Sequence, residues 1–268
     1  MTVLETLRQR AQPWLDRLGV QKVMPSSRVV DIGWLLKDDD GAFIWDDPRP
    51  FPRSAPTSRH AKSAACCPAI LDYESRIIDV PCPYDLRLGL RLKPEGEPAL
   101  VNLDGDNAAV RGNHIGRIVK LMARKEWRHP ERPVLQMPTP YVFLADEPVW
   151  LNQMPPFGHF PTRPWPGLLM GGSFPIHIWP RPLMWAFEWH NLAKPLELRR
   201  GEPWFSLRFE TMDPSRPVRL VEAEPTPELK SYMAGVSGVT NMVKRTYSLF
   251  PIAEKRRPAR LLKKRSDR

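Results

Sequence analysis

The chain has 268 residues, a formal net charge of +10 and 42% apolar residues, among them ten Trp and ten Phe. That content supplies a core and excludes a disordered chain, while no run approaches the roughly eighteen apolar residues of a membrane-spanning helix. Its 32 Pro residues, far above the usual share of about one in twenty, exclude long helices and favour short strands joined by stiff loops.

The charge is concentrated at one end. Lys255 to Arg268 holds eight Lys or Arg against Asp267 alone, which leaves about +3 for everything before it. Residues 253–268 therefore read as a disordered basic tail, capable of weak nonspecific contact with polyanions through counterion release. Cys66, Cys67 and Cys82 form neither a disulfide framework nor paired zinc hooks, and Arg8, Arg10, Asp16 and Arg17 break the apolar stretch a signal peptide needs. A reducing, cytoplasmic location is the expectation.

Thr2 and Glu5 have capping-box spacing, and Leu4, Leu7 and Ala11 follow at helical intervals until Pro13 and Gly19 interrupt. Residues 1–23 are thus expected to be a helical segment, followed by a single β-rich domain over 24–225. Asp40-Gly41 is the natural turn of a hairpin between Val29–Leu36 and Ala42–Trp45. Leu86 to Leu92 alternates Leu with Arg or Gly, a strand with a basic outer face. The run Asn102-Leu-Asp-Gly-Asp-Asn107 lacks the terminal Glu of a calcium loop and reads as a turn. Ile115 to Trp127 mixes apolar and basic residues in a way that suits a short helix or a strand equally. Val134–Leu144 and Val149–Met154 are expected strands, separated by the acidic turn at Asp146 to Pro148.

The densest signal lies between Trp165 and Glu210. Leu183, Trp185, Phe187 and Trp189 alternate with Met184, Ala186, Glu188 and His190, the pattern of a half-buried strand. Ser173 to Trp179 and Trp204 to Phe209 read as two more strands, the second entered through Gly201 and Pro203. Thr226-Pro227 has the form of an N-cap with Pro at the first helical position. Leu229, Tyr232, Met233 and Val236 then follow at helical spacing, so residues 226–252 are expected to be helical.

Several of these segments together resemble an uncharacterised family of bacterial and phage proteins, a domain of unknown function. The segments are Pro138-x-Pro140-Tyr141, Trp150-Leu-Asn-x-x-Pro-Pro156, Gly167-Leu-Leu169, the Trp185-x-Phe187-x-Trp189 strand and Arg200-Gly-Glu-Pro203. The likeness covers about residues 64–250 and follows the pattern only loosely around His114 and from Lys120 to Arg128. It implies an architecture and supplies no catalytic residues.

Motifs for nucleotide-binding α/β enzymes, for hydrolases of the Gly-x-Ser-x-Gly type and for His-Glu-x-x-His zinc proteases are absent from the sequence. Two constellations remain. His177, Glu188 and His190 supply the two imidazoles and one carboxylate of a non-haem iron site, or of a zinc site, if neighbouring strands bring them together. The alternative for these three is a solvent-facing polar strand edge. The second constellation is aromatic: seven Trp between Trp127 and Trp204 exceed what one core face holds, so some are expected at the surface. Trp179, Arg181, Trp204 and Arg208, with Arg163 nearby, would then form a stacking face for a ligand. Trp residues plugging the open ends of a barrel would account for the same composition without a ligand.

The expected fold is all-β, a barrel or sandwich of jelly-roll, cupin-like or β-clip type, with short helices at both ends. The expected function is non-catalytic binding of a protein or small molecule through the aromatic, Arg-lined face, without a cofactor. The alternatives are a cupin-like Fe or Zn enzyme using His177, Glu188 and His190, and a β-clip nucleotide hydrolase.

Overall fold

The computed structural model describes residues 29–37, 44–53, 60, 63–94, 96–105, 108–110, 114–160, 164–239 and 248–265. The N-terminal helical segment, the Asp40-Gly41 turn and Arg163 lie outside them. The fold is all-β, built from three sheets. In the first, β1 (Val30–Leu36) lies between β14 (Val218–Glu222), to which it is parallel, and β7 (Val134–Leu144). On its other side β7 carries β11 (Pro182–Trp189) and the short β6 (Lys120–Leu121), and β11 carries β9 (Gly167–Leu169). The second sheet runs β10 (Gly172–Pro175), β8 (Val149–Met154), β13 (Pro203–Thr211), β3 (Ile77–Pro81), β2 (Arg49–Pro50). The third joins β12 (Leu196–Leu198), β4 (Leu86–Leu92) and β5 (Pro98–Asn102). Four α-helices accompany them among the described residues: α1 (Pro68–Glu74), α2 (Ile115–Ile118), α3 (Pro227–Val239) and α4 (Leu249–Arg256). None is long and apolar enough to cross a membrane.

The first two sheets pack face to face, and their contact is aromatic. Trp185, Phe187 and Trp189 of β11 and Trp204, Phe205 and Phe209 of β13 are fully buried, as the period-two spacing of Trp185 to Trp189 requires. Trp185 stacks on Trp204 at 5.6 Å between ring centroids, and Phe143 of β7 meets Phe209 at 5.9 Å. The core is therefore one sandwich interior shared by both sheets.

The first sheet is also covered on its outer face. Leu35, Val142 and Leu144 point away from the sandwich and pack against Leu229, Tyr232 and Val236 of α3, Leu249 and Ala253 of α4, and Leu261 beyond them. Thr226 caps α3, its hydroxyl accepting from the Leu229 N–H at 3.2 Å, and Pro227 occupies the first helical position. Being covered on both faces explains why Tyr141 to Leu144 is an unbroken buried run and not an alternating one.

Among the described residues β1 pairs with β14 and β7, and the hairpin expected through Asp40-Gly41 to Ala42–Trp45 falls largely outside them. Two expectations are corrected here. The strand expected over Ser173–Trp179 ends at Pro175, and Ile176 to Ile178 form a turn. The disordered basic tail is, through Arg265, a docked strap. Arg257 donates to the carbonyls of His177 and Asp146, and the Leu261 and Leu262 N–H groups both donate to the Asp146 carboxylate. Lys264 bridges to Ala223, while Lys263 and Arg265 pair with Glu224 and Glu222. Its cations are matched by acids from the turn after β7 and from the end of β14, so composition alone misreads it.

One buried carboxyl gives a test of the second sheet. Asp79 of β3 is 6% exposed and accepts from the Ser206 hydroxyl of β13 at 2.6 Å. Desolvation raises its pKa above the ordinary carboxylate value, against the lowering influence of the Ser206 hydrogen bond and the nearby His159. A raised folded-state value means the charged form is penalised on folding above that value, and the penalty fades as pH falls through it towards 3.8. Asp79→Asn keeps an acceptor for Ser206 without the charge. Its Tm is expected to exceed that of the wild type by about 2 °C at pH 7, with the gap closing on acidification towards pH 4. A variant less stable at pH 7 would mean that the fold stabilises the charged carboxylate instead of penalising it.

Candidate functional site

The structure places the proposed metal ligands at opposite ends of β7. Glu188 lies opposite Val134, at the start of that strand. His177 lies against Val149, beyond its end, with Nδ1 3.0 Å from the Val149 carbonyl oxygen and the ring 5.2 Å from Trp150. Eleven residues of strand span about 30 Å, so His177 does not join the other two. Burial also holds the His177 imidazole below its ordinary pKa, assisted by Arg257 and opposed by its bond to Val149. Glu188 and His190 do meet, at 2.8 Å. Their surroundings are cationic, with Arg132 at 3.7 Å and Arg128 at 3.9 Å from the carboxylate. Nor is Glu188 the solvent-facing edge residue expected from alternation: it is 7% exposed, sealed by those arginines. Among the described residues no three His, Cys, Asp or Glu side chains converge as metal ligands would.

The aromatic face divides as well. Trp204 is fully buried in the sandwich and unavailable to a ligand, a correction to its expected role. Arg208 lies 4.6 Å over the Tyr73 ring of α1 and pairs with Glu210. The Trp residues among the described positions are buried or half-buried, so the expected exposed Trp surface is not formed by them.

Trp179 and Arg181 remain together, and they belong to a cleft of about 580 Å³ between α3 and the first sheet. Its floor is built by proline. Pro138 and Pro140 interrupt β7, and β11 answers with a register shift between Pro182 and Met184. Where the ladder fails, the Thr139 hydroxyl donates to the Leu183 carbonyl at 2.9 Å, supplying the bond that a proline N–H lacks. The bulge lies beside α3, and Pro138, Thr139, Pro182, Leu183 and Met184 line the cleft there. Leu35 closes the inner end, Met233 and Ala234 of α3 form the opposing wall, and Trp179, Arg181, Lys37 and Lys230 stand at the border.

Trp179 is held on three sides. Arg181 sits 4.8 Å over its ring, Phe250 of α4 meets it at 5.5 Å and Phe174 of β10 at 6.2 Å. Arg181 is half-buried, and desolvation lowers its pKa from the ordinary guanidinium value. Its only hydrogen bond among the described residues is a long one, from Nε to the Pro182 carbonyl at 3.4 Å. Trp179 and Arg181 were visible in the sequence as candidates, whereas the cleft itself was not. The signals that point to it, Pro138-x-Pro140 and Pro180-x-Pro182, are far apart in the chain and gain meaning only once β7 and β11 are paired. Set against family models, curated proteins and solved structures, the chain finds no match, and the chemistry of the cleft rests on its own residues.

Proposed function

We propose that the protein acts as a non-catalytic binding protein whose ligand enters the cleft between α3 and the β7–β11 bulge. The observation that carries this reading is a preformed, largely apolar cavity of about 580 Å³, within the range typical of small-molecule sites, bordered by an immobilised Trp and a half-buried Arg. A small number of polar groups on an apolar cavity is the usual composition of such a site. The Glu188–His190 pair offers a weaker case, because arginines occupy the carboxylate.

A neutral apolar fluorophore, Nile red, tests the cleft without reference to charge. It is expected to bind the wild type at one equivalent. Met233→Trp, which fills the cleft from a half-buried position on α3, should abolish that binding while leaving Tm within a few degrees. Undiminished binding by the Met233→Trp protein would place the ligand elsewhere and end this reading.

A further inference from the structure

We infer that the ligand of this cleft is an apolar chain or ring system bearing one anionic head, with the head on Arg181 and the body between the bulge and α3. The inference rests on the cleft being the binding site and adds the chemical class of what enters it.

The first argument is the charge inventory. Among the described residues that line the cleft the ionisable ones are Lys37, Arg181 and Lys230, with no Asp or Glu. A cavity ringed by one sign of charge over apolar walls concentrates its field inward and selects the opposite sign. Among the described residues a cationic ligand would meet only like charge, and a neutral one would make no ion pair with Arg181.

The second argument is the state of Arg181 itself. Withdrawing a guanidinium from water is costly unless oxygen acceptors replace the lost hydration. Three other arginines drawn into this fold follow that rule. Arg76 donates to Thr211 and to the Pro214 and Arg216 carbonyls, Arg216 makes a two-pronged pair with Glu147, and Arg257 donates to the His177 and Asp146 carbonyls. Arg181 has no carboxylate partner among the described residues, and its two terminal NH₂ groups have no acceptor there. Cation–π contact with Trp179 holds the guanidinium beside the cleft that both side chains line. A carboxylate or comparable oxyanion is the group that matches this fork with two parallel hydrogen bonds.

The third argument sets the number of charges and the nature of the body. One guanidinium lies half-buried at the cleft, Lys230 is exposed, and the remaining walls are supplied by Leu35, Pro138, Leu183, Met184 and Met233. Polyphosphates need a ring of donors where this cleft has aliphatic and thioether side chains. Met in particular yields to chains of different shape, which suits an unbranched or irregular apolar tail.

The test uses three probes of equal chain length, decanoate, decanol and decyltrimethylammonium, titrated calorimetrically into the full-length protein below their aggregation limits. Decanoate is expected to bind at least about tenfold more tightly than decanol, the usual order for one charge-assisted pair, and decyltrimethylammonium to bind more weakly than either. In Arg181→Met, decanoate should fall to the affinity of decanol while decanol stays within about twofold of its wild-type value. Arg181→Lys should retain part of the preference. The wild-type series stands by itself should Arg181→Met fail to fold. Equal affinity for decanoate and decanol, each displacing Nile red, would overturn the anionic head and leave the cleft reading intact. Failure of all three probes to displace bound Nile red would remove both.

Discussion

Phe187→Ala is expected to cost about 3–5 kcal/mol, lowering Tm by roughly 8–15 °C in thermal melts. Phe187 is fully buried between three aromatic neighbours, with Trp185 parallel to it at 5.3 Å, Trp189 at 6.1 Å and Trp165 at 6.1 Å. Truncation would leave a cavity bounded by rigid rings from β11 itself, which cannot collapse inward without breaking the ladder to β7. Glu188→Ala, one residue along and also buried, is expected to cost less than about 1 kcal/mol. Its partners Arg128 and Arg132 keep 71% and 45% of their side-chain surface in water, so losing the carboxylate strands no buried cation. Equal losses for the two variants would mean that the guanidinium groups are held in place by Glu188 and that the ion cluster, not the aromatic face, organises this end of the sheet.

What the sequence shows of this fold tracks how local each cause is. The strands at Val134–Leu144 and Val149–Met154 stand where expected, because turn residues bound them closely. The helix from Pro227 is equally legible, since its cap, its proline and its apolar stripe lie within eleven residues. Non-local pairings are not legible in this way. The parallel pairing of β1 with β14 brings together Asp31 and Arg219, 188 positions apart, and nothing in either segment names the other. Trp204 shows the same gap in side-chain terms. A Trp beside Arg-rich segments reads as a surface platform until the facing sheet packs over it. The cleft is the clearest case. It arises from prolines in two strands that disturb each other's hydrogen bonding, and proline content alone suggests loops where this chain has paired β-strands.

The C-terminal strap is where physical accounting most changes the expectation, and ending the chain after Arg256 should lower Tm by roughly 6–12 °C. Eight cations in fourteen residues suggest a solvated segment, and the exposed pairs Lys263–Glu224 and Arg265–Glu222 indeed contribute little each, about 0–1 kcal/mol. The stabilising contacts lie between them. Leu261 is 2% exposed against Val142, Leu144 and α4, and burying a leucine contributes about 1.5–3 kcal/mol. Arg257 ties the carbonyls of His177 and Asp146 together across 31 residues of chain, and truncation would leave both acceptors and the Asp146 carboxylate without these donors. Leu262 fills the space above Gly33, where a Cβ would come within 2.5 Å of its Cδ1, so the strand opposite has no side chain to take its place. Leu261→Ala alone should therefore reproduce a large part of the loss, about 2–4 kcal/mol. Replacing Lys263 and Arg265 together with Gln should cost under about 1 kcal/mol, and raising the salt concentration should reproduce that small effect without approaching the truncation. A truncated protein melting within 2 °C of the full chain would show that the strap does not hold its seat in solution. If instead the charge-neutral double variant matched the truncation, ion pairing rather than Leu261 would be what holds it there.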